Sequence, residues 1–261
     1  MTLLKTTILY LKMIDWIQEF IDRKDLSENS RAAYFYDLQQ FVMSIDDKIS
    51  QEKLALYEQS LSDFKVSVKK RKISAVNQFL FYLYETRKVN HFYKLTNKEK
   101  IQDKSAPHQL LDFQLFYEKT EFPQGQLISL LILELGLSPQ EIQTIEQADL
   151  DLDFAILSLN KSGLIRVLEI PKPLISYLQK QVSNNQRFLF DKSGKIYSRQ
   201  WFFKQLKLYL TELGMSDLSA QDLRQQFILK KKEEGKSISE LGRLLGLKSP
   251  ITLEKYYKNG Y

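Results

Sequence analysis

Between residues 149 and 171 the apolar residues follow a strand-like pattern, whereas through most of the chain they recur at three- and four-residue intervals. That change of period limits the fold to helices around one small sheet. Only 9 glycines and 6 prolines punctuate the 261 residues, which favours long helices over a turn-rich β architecture. Residues 154–159 and 164–170 are predicted as two strands, joined by the turn Asn160-Lys161-Ser162-Gly163.

The helical part divides in two. Residues 9–21, 31–45, 51–61 and 64–88 are predicted as four amphipathic helices, and residues 97–107 are a polar run that reads as a linker. The expected organisation is a helical domain over 1–96, the linker, and a second domain over 108–261 that contains the sheet. In the second domain, helices are expected at 110–119, 124–135, 174–182 and 199–213, with a further one opening at Ser138-Pro139, an N-cap and first-turn pair.

Several function classes are excluded early. With no cysteine there is neither a disulfide nor a thiolate metal site, and with His91 and His108 as the only histidines no imidazole metal centre is expected. No apolar run reaches the length of a membrane span. Lys5, Lys12 and Asp15 break the apolar N-terminal stretch and no small-residue cleavage site follows, so no signal peptide is expected and the chain is assigned to the cytoplasm.

A net charge of +6 permits a polyanionic partner. The start of the fourth helix carries Lys65, Lys69, Lys70, Arg71 and Lys72 with no acid among them. Such a run is either a solvated helix face or a phosphate-contacting one, which would give affinity for DNA independent of its sequence. A second run, Lys230-Lys231-Lys232, lies in the second domain.

The last stretch, 218–261, holds three short helical patterns. Ser219 caps one with Leu223, Phe227 and Ile228 on a face; Ile238, Leu241, Leu244 and Leu245 form the next, stopped by Gly246; Ser249-Pro250 opens the last, which carries Tyr256 and Tyr257. Within it stand Gln221-Asp222-Leu223-Arg224, then Leu244-Leu245-Gly246-Leu247, then Tyr256, nine residues beyond Leu247. This frame resembles the C-terminal signature of the tyrosine recombinase (phage integrase) family, and among its Xer-type members is closest to XerD-like proteins. There the pattern is His-x-x-Arg, Leu-Leu-Gly-His and a nucleophilic tyrosine. Gly136-Leu137-Ser138-Pro139-Gln140-Glu141-Ile142 is similar to the family's Gly-Leu-Arg-x-x-Glu motif, with Ser138 in the place of its first arginine. Residues 26–38 and 73–84 are similar, more loosely, to helices of the family's core-binding domain.

The resemblance implies a mainly α protein: an N-terminal four-helix, SAM-like core-binding domain and an α-rich tyrosine-recombinase catalytic domain with a small antiparallel sheet. It implies duplex DNA as partner, together with a homologous recombinase or a second copy of the chain on the DNA, and no metal, membrane or small-molecule cofactor. The implied reaction is attack by a tyrosine on a phosphodiester, giving a 3′-phosphotyrosyl bond and a free 5′-hydroxyl. By the same resemblance Tyr256 is the nucleophile, Arg224 a phosphate clamp and Lys161 the proton donor to the leaving oxygen. Tyr256 is expected to face Arg224, with Ile251, Leu253 and Tyr257 left for packing. Ser138, Gln221 and Leu247 replace the family's arginine and two histidines. Glutamine donates a hydrogen bond but shuttles no proton, and leucine does neither. Weak or absent strand cleavage is therefore expected. The alternatives are a non-catalytic architectural or regulatory DNA-binding protein of the same fold, and a helical protein-interaction module that binds no DNA.

Overall fold

The computed structural model describes residues 2–46, 48–96, 99, 110–161, 164–183 and 186–257, without the side chains of 2–10, 161 and 164. The chain divides into two compact units, Met1–Asp103 and Lys104–Tyr261. Of the run expected as a linker, 97–107, all but Glu99 lies outside the described residues.

The first unit contains α1 (Thr2–Asp22), α2 (Glu28–Ser44), α3 (Gln51–Ser60) and α4 (Val66–Glu85). Ser27 and Ser50 start α2 and α3 by accepting hydrogen bonds from the amides of Ser30 and Lys53. The core joins Ile17 and Phe20 of α1, Leu38 and Phe41 of α2, Leu54 and Tyr57 of α3, and Val76, Phe79 and Leu83 of α4. Helix α1 begins well before the expected residue 9, and α4 is shorter at both ends than expected, with Lys65 as its N-cap and Thr86 as its C-cap.

In the second unit, α5 (Pro123–Leu135) is apolar on nearly every side, LISLLILEL, and is correspondingly buried along most of its length. It packs on α8 (Arg199–Glu212) and α9 (Ala220–Glu233). The approach to α8 is close: a Cβ on Gly125 would stand 2.3 Å from the Gln205 carbonyl oxygen and 2.6 Å from the Tyr209 Cβ. Gly125→Ala is therefore expected to force the two helices apart and destabilise the protein by about 1–3 kcal/mol, read as a lowered urea midpoint with an unchanged slope. An unchanged midpoint would contradict this packing.

Helix α6 (Pro139–Thr144) leads to a three-stranded antiparallel sheet of β1 (Leu150–Asp151), β2 (Ile156–Lys161) and β3 (Leu164–Glu169), in the order β1-β2-β3. Two corrections follow. Strand β1 is additional, and Asn160 and Lys161 belong to β2, paired with Ile165 and Leu164, so they are not turn residues. Leu157 and Leu168 anchor the sheet to the main core. Residues 110–119, expected as a helix, form only a 3-10 segment, Phe113–Tyr117. Helix α7 (Lys172–Gln181) follows the sheet, and α10 (Ile238–Leu244) follows α9. The last helix is a 3-10 turn, Pro250–Leu253, running into α11 (Glu254–Tyr257). No described helix is long and apolar enough to cross a membrane.

Candidate functional site

Ser138 and Glu141 form a capping box at the start of α6. The Ser138 amide donates to Glu141 Oε2 at 2.8 Å, the Ser138 hydroxyl to the same oxygen at 2.7 Å, and the Glu141 amide to Ser138 Oγ at 3.3 Å. The other carboxylate oxygen, Oε1, accepts from Nη2 of Arg166 on β3 at 2.9 Å. Burial pushes the Glu141 carboxyl up, but the Ser138 hydrogen bonds and the Arg166 and Arg224 charges hold it below the usual carboxylate range. Its stabilising contribution is thus complete above the unfolded-state value near 4.3 and is lost as pH falls through the lower folded value. Glu141→Gln is expected to reduce the wild-type stability at pH 7 and to narrow the difference in acid, as checked by urea unfolding across pH 2–7. A difference constant with pH would contradict the charged pairing.

Arg224, on α9, is held by backbone carbonyls. Its Nε donates to Gly136 O at 2.8 Å and its Nη2 to Leu245 O at 3.2 Å. Gly136 presents that carbonyl from the left-handed C-cap of α5, at φ 66°. Burial lowers the Arg224 pKa; Glu141 opposes that shift and Arg166 adds to it.

Tyr256 is 4% exposed and packs with Phe227, Ile228, Leu241, Leu245 and Leu253 in a separate small core. Its phenol is raised by burial, with the Arg224 charge pulling the other way. Lys232 Nζ holds its backbone carbonyl at 2.6 Å. The neighbouring Tyr257 is half-buried and donates its hydroxyl to the Lys236 carbonyl. Ile251, expected to pack, is instead 69% exposed. Gln221 is exposed, and Leu247 is half-buried against the Tyr256 cluster. Lys161 ends β2, and its side chain lies outside the described residues.

In the first unit the basic run does not form one face. Lys72 is corrected: it is 4% exposed, and its Nζ donates to Asp37 Oδ1 at 3.0 Å and to Gln40 Oε1 at 2.6 Å. It is core-facing and presents no charge to a phosphate. Arg71, half exposed, pairs with the same Asp37 at 2.9 Å, and Lys69 pairs with Glu99 at 3.0 Å. Lys65 is exposed. Lys70 borders a groove of about 1040 Å³ with Arg23, Lys24 and Lys94, three cations the sequence did not single out because they are distant in the chain. The run at 230–232 is also engaged locally: Lys230 with Glu134 at 2.8 Å, Lys231 with Glu234 at 2.7 Å, and Lys232 as above. No cluster suited to a metal occurs among the described residues.

Arg166 is the site residue that the sequence reading missed. Its signal was the alternation Arg166, Leu168, Ile170, which puts the arginine on the inward face of β3.

No family model matches the chain. A protein described as "Tyrosine recombinase XerD-like" from Streptococcus agalactiae serotype Ia is 51% identical over 246 residues, covering 94% of this chain and 100% of the relative. The protein of the same description from Streptococcus mutans serotype c is 49% identical over 247 residues, covering 95% and 100%. Among solved structures, XerH site-specific recombinase bound to difH substrate in a pre-cleavage complex matches with a TM-score of 0.68 at 14% identity, covering 97% of this chain and 93% of that one. A lambda integrase dimer bound to a COC′ core site matches at 0.69 and 13%, covering 93% and 94%. These two establish likeness of fold, and the curated relatives establish kinship. The chain belongs to the XerD-like tyrosine recombinases.

Proposed function

We propose that this protein binds duplex DNA as a site-specific tyrosine recombinase whose strand cleavage is weak. The observation that carries the reading is that Arg224 and Tyr256 meet at Leu245: Arg224 Nη2 donates to the Leu245 carbonyl at 3.2 Å, and Tyr256 packs in the same small core as Leu245. The description of the curated relatives and the DNA complexes of XerH and lambda integrase support it. In this reading Tyr256 Oη attacks the phosphorus and the 5′-oxygen leaves, taking a proton from Lys161. Arg224 binds the non-bridging oxygens, for which the planar guanidinium fork is suited. With no histidine acceptor at 221 or 247, the phenol proton leaves to solvent water. Each absent preorganised donor costs on the order of 10²–10³ in rate, though such losses do not simply add. A homologous recombinase or a second copy on the DNA would be the partner.

The second reading, a non-catalytic DNA-binding protein of this fold, is favoured by one observation: the candidate nucleophile is buried among apolar side chains and its pKa is raised. Both readings require duplex binding. Replacing Lys65, Lys69 and Lys70 together with alanine is expected to weaken binding to all duplex sequences. It should also flatten the plot of log affinity against log salt by about one unit per lost phosphate contact. Unchanged affinity and slope, measured by fluorescence anisotropy, would remove this helix from the DNA face.

A further inference from the structure

Leu168 and Ile170 must face the core, and the strand period then carries Arg166 to the same side while Ile165 and Val167 stand 69% and 57% exposed. An aliphatic residue at 166 would complete that inner face without desolvating a charge. An arginine is there instead, 9% exposed, and its charge is matched through a single hydrogen bond to Glu141, at 2.9 Å. Its Nε is buried and has no hydrogen-bond partner. A buried donor left unpaired is costly unless something else satisfies it.

The surroundings indicate what that could be. Arg166, which is buried, lies close enough to the half-buried Arg224 for the two charges to repel. Both guanidiniums also reach the same short turn. Arg224 Nη2 bonds Leu245 O, and Arg166 Nη1 lies 2.6 Å from where a Cβ on Gly246 would stand. Gly246 has φ +61°, so glycine there serves both the left-handed turn and the close passage of the arginine. Arg166, Gly246 and Leu247 border one open groove of about 940 Å³, whose lining carries four cations, Arg166, Lys231, Lys236 and Arg243, against the three carboxylates Glu134, Glu169 and Glu240. Ser138, where an arginine would otherwise be expected, bonds the same carboxylate, Glu141, that Arg166 holds from the sheet.

We propose that Arg166 is the second phosphate-binding arginine of this site, reaching from β3 the anion that Arg224 reaches from α9 and supplying the cation that Ser138 cannot. This inference rests on the phosphodiester-binding reading of the site. Glu141 keeps the Arg166 guanidinium oriented, and a phosphate oxygen accepts from the otherwise unpaired Nε. The two arginines then share one dianionic or monoanionic group, which relieves their mutual repulsion.

The test uses the full chain with ¹⁵N-labelled arginine and inorganic phosphate as the probe, with sodium chloride at matched ionic strength as control. The Nε–H resonances of Arg166 and Arg224, assigned through their side-chain correlations, are expected to move together with one midpoint. Arg166→Lys, which keeps the charge but not the fork, should raise the phosphate midpoint seen at Arg224 about tenfold, the loss of one charge-assisted hydrogen bond. If Arg166→Lys does not fold, the wild-type titration decides alone. Movement of Arg224 without Arg166, or of neither, overturns the proposal and leaves Arg166 as a structural partner of Glu141. A Tyr256-dependent DNA adduct alongside a silent Arg166 would sink this inference and leave the recombinase reading standing. A shared phosphate response in a chain that never cleaves DNA would do the reverse.

Discussion

Asp37→Ala is expected to destabilise the first unit by about 3–5 kcal/mol, because it strands the buried Lys72 ammonium without its anion. Asp37 is 1% exposed and Lys72 4%, and their 3.0 Å contact joins α2 to α4 across the bundle. Gln40, which accepts from Lys72 at 2.6 Å, is retained in the variant, but a neutral amide oxygen does not balance the charge. Arg71 also loses its partner, at a smaller cost since its side chain is half in water. The double variant Asp37→Ala with Lys72→Met should recover most of the loss, since it removes both charges and keeps the bulk of the lysine stem. Urea unfolding of the full chain reads both. A loss under about 1 kcal/mol for the single variant, or no recovery in the double, would show that the pair is solvated.

Gly136→Ala is expected to damage both fold and site. At φ +66° an alanine costs about 1–2 kcal/mol in backbone conformation. Its Cβ would also stand 2.5 Å from Phe227 Cε1 and 2.9 Å from Leu245 Cδ2, an overpacking worth about 1–3 kcal/mol more. The three residues that must give way are those that fix Arg224: Gly136 and Leu245 provide its two carbonyl acceptors, and Phe227 lies one turn along the same helix. The variant should therefore lose phosphate affinity at Arg224 beyond what its stability predicts. A folded Gly136→Ala protein with wild-type phosphate binding would show that the carbonyl cradle does not position the guanidinium.

The mainly helical character, the sheet at 149–171 and the serine caps were legible because period and capping are local properties. Ser138 and Ser219, read as caps, each accept a hydrogen bond from the third residue of the helix they open; Ser198 and Ser237, which the sequence reading did not single out, do the same. The spacing within 218–261 put Arg224 and Tyr256 in one frame, and both lie in the second unit. Lys72 was misread by composition: grouped with its basic neighbours it looked like surface, yet it falls four residues before Val76 and seven before Phe79, on the buried stripe. The matching sign was on another helix, where Asp37 precedes Phe41 by one turn. Pairings of that kind arise only when helices meet. The same holds for Arg166 and Glu141, 25 residues apart on a strand and a helix. The burial of Tyr256 was not legible either, since it depends on α9 and α10 closing over the short last helix.

The most direct test of the proposed function is covalent trapping on a nicked duplex, in which the cleaved strand end diffuses away and prevents religation. Genomic DNA fragments from the source of the chain provide the sites. The expected result is salt-sensitive duplex binding with an adduct yield far below that of a recombinase with a complete site, abolished by Tyr256→Phe with little change in duplex affinity, and retained by Tyr257→Phe. An adduct formed as efficiently as by a complete site, or one that survives Tyr256→Phe, would contradict the account.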